Sequence, residues 1–422
     1  MTISVYPPLG SGSNNPVNVT FLPTATDAFG RLRISEPYTL FDSQQRFSLD
    51  NQFDSSTASG GTVTYLTNES AAAMAVTTTV NSEAVRQSYR SMPYQPGKGL
   101  LVLATFAMGT LVTGIRQRVG YFNTENGLFF QADGTTLSFV LRSNSTPTPG
   151  TPSDVRTVNQ SSWNGDKLNG TGPSGITLDP TKTQIFWCDF EWLGVGSVRA
   201  GFVINGQYIV CHTFNNANDQ TTVYMTTAIL PVRYEIKNTT GAAATTMKQI
   251  CSSVVSEGGY EQASVDHVAR RTTVLGTINT AANFIPVVSI RLASGRTGAV
   301  VIPNRIQFQP TTLQNYELAL IKNPTLTGAT WAATVPSDSN VEFDVAATAI
   351  SAAGTIVQTG YISNSGGGGQ ASTLAPTGYN WDLQLGASLT SVSDIYTLGV
   401  RTISGATTGD GVGSISFFDL TQ

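Results

Sequence analysis

Apolar and polar residues alternate with a period of two along most of the chain, in short runs separated by Gly, Asn, Asp and Ser. Between about residues 56 and 262 these runs are GTVTYL, LLVLATF, RQRVGYF, GLFFQA, LSFVLR, QIFWCDFEW, SVRAGFVI, QYIVCHTF, TTVYMTT, VRYEIKN and QICSSVVS. Successive side chains of a strand point to opposite faces, so this pattern predicts antiparallel strands with one face buried. Many short strands without long amphipathic helices predict a lectin-like jelly-roll sandwich. A break at SEGGYEQASVDHVARR holds the best short-helix candidate, Glu261 to Arg271. From about 272 to 422 the alternation resumes in IPVVSIRL, GAVVIP, RIQFQP, YELALIK, NVEFDVA, TIVQTGYI, NWDLQL, IYTLGVRTI and SISFFDL, which predicts a second β-sandwich domain. The fold class is therefore all-β.

The clearest local signal is SVRAGFVINGQYIVCHTF. Asn205-Gly206 supplies the two positive-φ positions of a type I′ turn between two β-rich arms. A two-residue loop sets Ile204 opposite Gln207, Phe202 opposite Ile209 and Ala200 opposite Cys211, with Arg199, Val203, Tyr208 and His212 on the other side. Residues 1 to about 55 read differently. They carry Pro7, Pro8, Pro16, Pro23 and Pro37 and little periodicity, yet Phe21, Phe29, Leu32, Ile34, Tyr38, Leu40, Phe41 and Phe47 are too apolar for a free tail. We expect an extended arm lying on another surface, including that of a neighbouring subunit.

Composition narrows the classes. Only 12% of residues are charged while 40% are hydrophobic, a balance for folded sheet rather than disorder. A net charge of −4 without a basic block gives no footprint for nucleic acid or an anionic membrane. The uncharged run from 99 to 115 is short for a membrane helix, which needs about 20 residues, and its Thr and Gly favour buried strands with a turn near Gly109. Cys188, Cys211 and Cys251 have no CxxC spacing and read as small buried apolar residues. The first residues lack a basic and then an apolar region, so we expect synthesis in the cytoplasm without a secretory signal.

The candidate chemistry centres on IFWCDFEW, residues 185 to 192. Strand alternation puts Phe186, Cys188, Phe190 and Trp192 on a core face and Trp187, Asp189 and Glu191 on the other. Two carboxylates about 7 Å apart along one strand face invite comparison with the acid pair of a retaining glycosidase. Such a pair needs distinct environments and a third polar partner, and no third acid follows in register. Pairing across the sheet with a base such as Arg199 is the simpler reading. Only His212 and His267 are present and no G-x-S-x-G elbow exists, so no nucleophilic relay is expected. Asn164, Asp166, Asn169 and Asp179 form an oxygen-rich loop without the order of a calcium site, so no metal or cofactor is expected. Tyr121, Trp163, Trp187 and Tyr208, on loops or polar strand faces, together with Asp189 and Glu191, are the candidate contacts to a glycan or a protein interface. SGGGGQ, residues 365 to 370, reads as an exposed loop tip.

Several segments carry a resemblance. TDAFGRLRISEPYTLFDSQQRF (26 to 47), the block from Trp163 to Asn218, LPVRYEIKNT (230 to 239), MKQICSSVVSEGGY (247 to 260) and KNPTLTGATW (322 to 331) resemble a family of virion structural proteins of tailed bacteriophages, described as head fibres, decoration proteins or tail parts. The resemblance implies a non-enzymatic virion component tied to the particle by its N-terminal motif, where we expect Phe29, Arg31, Arg33, Tyr38 and Phe41 to dock onto other virion proteins. It implies a homo-oligomer, by analogy a trimer. The resulting expectation is an arm over 1–55, a jelly-roll domain over 56–262 and a C-terminal sandwich over 272–422. Its alternative function is that of a host-glycan-binding module of a phage tail or fibre.

Overall fold

In a computed structural model the described residues are 36–145, 150–241, 243–261, 264, 266–279, 284–333, 339–363, 381–403 and 408–421, with the backbones of the strands Thr2–Val5, Val17–Thr20 and Ser372–Leu374. Phe29, Arg31, Arg33 and the tetraglycine lie outside them. The chain is all-β, and every strand pairing among these residues is antiparallel.

The first sandwich packs a seven-stranded sheet on an eight-stranded one. In spatial order the former runs Ser153–Asn159, Thr136–Ser143, Gly127–Asp133, Ile115–Phe122, Val232–Asn238, Glu83–Ser88, Phe53–Ala58. The latter runs Gln207–Phe214, Val198–Ile204, Gln184–Phe190, Leu100–Ala107, Thr245–Ser256, Ala71–Val76, Thr62–Leu66, with Tyr38–Gln44 also paired to Thr245–Ser256. Between them aromatic rings from both sheets interlock. Phe130 meets Phe202 edge-on at 5.1 Å, and Trp163 stacks on Phe139 at 4.4 Å. Such pairs add about 0.5–1.5 kcal/mol each beyond the area they bury.

The uncharged run from 99 to 115 is the strand Leu100–Ala107 and the start of the next, and no helix among the described residues is long and apolar enough to cross a membrane. The Asn205-Gly206 turn has φ of 54° and 76°, with Ile204 opposite Gln207 and Phe202 opposite Ile209, as the type I′ reading requires. Beyond that the register corrects. A bulge shifts the pairing, so Ala200 faces His212 rather than Cys211, and Thr213 rather than His212 faces Arg199. The cause is the loop after Trp163, where Gly165 and Asp166 donate to the carbonyls of Cys211 and Val210 along the free side of this edge strand. That cover blunts an edge that would otherwise template pairing.

Other departures have equally local causes. TTVYMTT is irregular, although Tyr224 and Met225 are buried against the sandwich. Ala71–Val76 is a strand hidden from propensity by its four alanines, and it is held by burial. The helix candidate at 261–271 is wrong. Asp266–Arg270 is a strand paired with Gly409–Asp419, and His267 stacks on Phe417 at 5.6 Å. The reading of 1–55 as an arm fails for Tyr38–Gln44 and Phe53–Ala58, which belong to the two sheets.

The C-terminal sandwich pairs a sheet ordered Asp266–Arg270, Gly409–Asp419, Val301–Pro310, Ser372–Leu374 with one ordered Ala332–Ala333, Val341–Asp344, Ile285–Leu292, Ile395–Thr402, Asn315–Lys322, Thr355–Ser363. Its core includes Phe308, Tyr316, Leu398 and Phe417. NWDLQL, expected as a strand, is a short 3-10 turn at Trp381–Leu383 that joins the sandwiches. Trp381 Nε1 donates to the Tyr38 hydroxyl at 2.9 Å, Tyr260 packs edge-on to Trp381 at 4.9 Å, and Arg90 donates to the Trp381 carbonyl at 2.7 Å.

The outer face of the seven-stranded sheet is closed by charge. Phe122, Phe129 and Val140 form a small cluster, with Arg118 and Arg142 over Phe129 and Arg233 over Phe122. Glu235 accepts from Arg116 and Arg233 at 3.0 Å and lies 3.5 Å from Arg118. Burial alone would raise its pKa, but the arginines 233, 118 and 116 outweigh that and hold it at about 2. Because the folded value lies below the ordinary one, this contribution is complete above about pH 4.5 and fades as pH falls towards 2. Glu235→Gln is expected to cost roughly 3 kcal/mol at neutral pH. Thermal melts from pH 7 to 3 should show the gap between wild type and variant closing in acid; a gap independent of pH would contradict the assignment.

Candidate functional site

The strand Gln184–Phe190 runs between Leu100–Ala107 and Val198–Ile204, and its two faces divide as the alternation requires. Phe186, Cys188 and Phe190 enter the core, while Ile185, Trp187 and Asp189 face outward. Outward does not mean open. Trp187 is 2% and Asp189 6% exposed, because neighbours lie across them. Arg199 stands directly opposite Asp189 and clamps it with both arms of the guanidinium, Nε donating to Oδ1 at 2.9 Å and a terminal nitrogen donating to Oδ2. Trp187 stands opposite Gly201, where an added Cβ would strike the Ile209 carbonyl. With no side chain at Gly201, the Tyr208 ring reaches over from the edge strand and packs edge-on to Trp187 at 5.4 Å. Tyr208 itself is 55% exposed, and Trp187 Nε1 has no hydrogen-bond partner among the described residues.

At the Asp189 end the face opens into a cleft that also holds Lys98, Glu191 and Glu257. Glu257 follows the strand Thr245–Ser256, and its N–H donates to the Gly99 carbonyl at 2.9 Å. Its carboxylate overlies Gly99, where a Cβ would come within 2.3 Å of Oε2. Burial raises the pKa of Glu257, the charge of Asp189 raises it further, and Arg199 opposes both. Glu191 is exposed and accepts from the Ser197 hydroxyl at 3.3 Å. The third acid that the strand itself lacks is thus delivered by another strand. Nothing local marks Glu257 or Lys98 in the sequence, since only the strand order brings them here.

Of the residues expected to make outside contacts, Tyr208 and Glu191 are exposed, and Asp189 lines the cleft with its charge already paired. Three corrections apply to the rest. Tyr121 lies in the core, donating to the Ala228 carbonyl at 2.8 Å and accepting from Leu230 N–H at 3.0 Å. Trp163 is buried against Phe139, with Nε1 on the Val158 carbonyl at 3.1 Å. Trp187 is covered as described. Tyr38 and Phe41, expected to dock on the particle, pack on this chain instead. Tyr38 stacks on Tyr260 at 6.0 Å, and Phe41 lies buried beneath Arg90.

The oxygen-rich loop is local turn chemistry. Asp166 accepts from the N–H groups of Leu168 and Ser174, which outweigh burial and lower its pKa, and Asn164 bonds the Thr213 backbone. His212 Nδ1 accepts from Asn164 N–H at 3.2 Å, and burial together with Arg156 lowers its pKa. Among the described residues no group of three or more His, Cys, Asp or Glu is placed to hold a metal ion. The three cysteines are free thiols, raised in pKa by burial.

No protein-family model and no curated protein matches the sequence. Among solved structures the chain is similar to the CBM2 module of an evolved Dit of Lactobacillus casei BL23 phage J-1, at 7% identity and a TM-score of 0.37, over 54% of this chain and 100% of that one. It is similar to a protein of unknown function from Shewanella oneidensis MR-1, at 10% identity and a TM-score of 0.33, over 58% and 99%. A Bacillus licheniformis β-glucanase matches at 13% identity and a TM-score of 0.30, over 53% and 98%. Likenesses of this size carry no functional information.

Arg199 lowers the pKa of Glu257 and also compensates Asp189, so Arg199→Met is expected to push the Glu257 midpoint further up. Carboxyl-carbon NMR titration of the two proteins reads this directly. An unchanged or lower midpoint in the variant would refute the electrostatic coupling across the cleft.

Proposed function

We propose that the chain is a non-enzymatic structural component of a tailed-phage virion, an oligomeric appendage or decoration protein made in the host cytoplasm and held to other virion proteins by its first 35 residues. The observation that carries this reading is where the arm motif ends. TDAFGRLRISEPY runs straight into Tyr38–Gln44, a strand laid along Thr245–Ser256 with Tyr38 and Phe41 packed into the body. A segment joined to a sheet in this way transmits force to a whole fold rather than to a loop. The resemblance of the motif to those of virion proteins supplies the partner class, and a homotrimer remains the oligomer we propose by analogy.

The cleft supports the non-enzymatic part of the reading. A glycosidase nucleophile needs a carboxylate oxygen free to attack, whereas both oxygens of Asp189 are engaged by Arg199. Residues 1–35 lie before the first strand of the body, so a chain lacking them is expected to keep its melting temperature and lose incorporation into particles. Normal incorporation of that chain would defeat the proposal. Release of reducing ends from polysaccharide by the wild type, abolished in Asp189→Ala, would defeat its non-enzymatic half.

A further inference from the structure

The geometry points to a binding groove for an uncharged saccharide chain on the outer face of the eight-stranded sheet, running along Gln184–Phe190 from Ile185 to the cleft at Asp189. This goes beyond the virion assignment and does not depend on it. From Ile185 to Asp189 the strand rise spans about 13 Å, enough to meet more than one sugar ring.

Three features select this ligand. Tyr208 offers an exposed ring whose orientation is set by its edge contact with Trp187, the rigid shelf on which the C–H face of a pyranose stacks. Ile185 and Val210 leave apolar surface beside it. At the cleft, Arg199 and Asp189 hold each other in place, so their remaining donors and acceptors are preorganised for hydroxyls. The sign of the charge then restricts the class. Three carboxylates (Asp189, Glu191, Glu257) against two cations (Lys98, Arg199) leave the cleft acidic, which repels uronic and sialic acids and tolerates neutral or N-acetylated sugars.

The full chain, titrated separately with cellohexaose, maltohexaose and chitohexaose and with the anionic trigalacturonate, tests this by calorimetry and tryptophan fluorescence. We expect at least one neutral oligosaccharide to bind saturably in the micromolar to millimolar range, with no binding of trigalacturonate. Tyr208→Ala should weaken binding at least about tenfold while lowering the melting temperature by no more than a few degrees. Trp187→Phe, which leaves a smaller buried ring beneath Tyr208, should weaken it less. Failure of all three neutral oligosaccharides to bind at millimolar concentration, equal binding of trigalacturonate, or wild-type affinity in Tyr208→Ala would overturn the assignment. None of these results bears on incorporation of the chain into particles.

Discussion

The strand Thr245–Ser256 is the member on which the rest depends. Along one edge its twelve residues carry Ala71–Val76 and then Tyr38–Gln44, end to end; along the other they carry Leu100–Ala107. Pairing shifts on both edges as the strand bends, and Thr105 stitches the bend, its hydroxyl accepting from Cys251 N–H at 2.7 Å, while the Tyr234 hydroxyl donates to the Cys251 carbonyl at 3.0 Å. Just beyond the strand, Glu257 faces Asp189 and Tyr260 meets Trp381. The seat of the N-terminal segment, the acidic cleft and the junction with the second sandwich therefore share one length of backbone.

Both sheets turn charged residues outward without leaving them loose. On one, Glu235 lies among three arginines, two of which, Arg118 and Arg233, also cap phenylalanines; on the other, Asp189 lies under Arg199 beside Trp187. Planar guanidinium groups suit this use, since each can bond a carboxylate in its plane and cover a ring with its face. A chain with few charges can in this way spend them as lids over aromatic surface. Tyr208 and its surroundings break that rule, because there the covering residue is itself an exposed ring.

Period-two alternation was enough to read the fold class, most strands and the inner face of Gln184–Phe190, because side-chain direction in a strand depends only on parity. The Asn205-Gly206 turn was legible for a similar reason, since positive φ leaves few residue choices. Information that resides in strand order was not legible. Glu257 lies 68 positions beyond Asp189 in the chain, and nothing near either residue announces that they face one cleft. Burial of the outward face was hidden too: Trp163, Trp187 and Tyr121 have polar tips that suit exposure, and only the neighbours reveal that those tips are bonded or covered. The bulge at Cys211 depends on a loop more than 40 residues earlier, beyond the reach of a local pattern.

The contact between Trp381 and Tyr38 spans 343 positions, and the strand that holds Tyr38–Gln44 ends at Ser256. Loops of that length close late, after the local hairpins have formed. A growing chain on the ribosome thus has no sheet on which to lay Tyr38–Gln44 until most of the first sandwich has emerged, and no Trp381 to cap it until the second is nearly complete. Products that end before Ser256 therefore lack the strand on which Tyr38–Gln44 is laid, and products that end before Trp381 keep that strand without its cap.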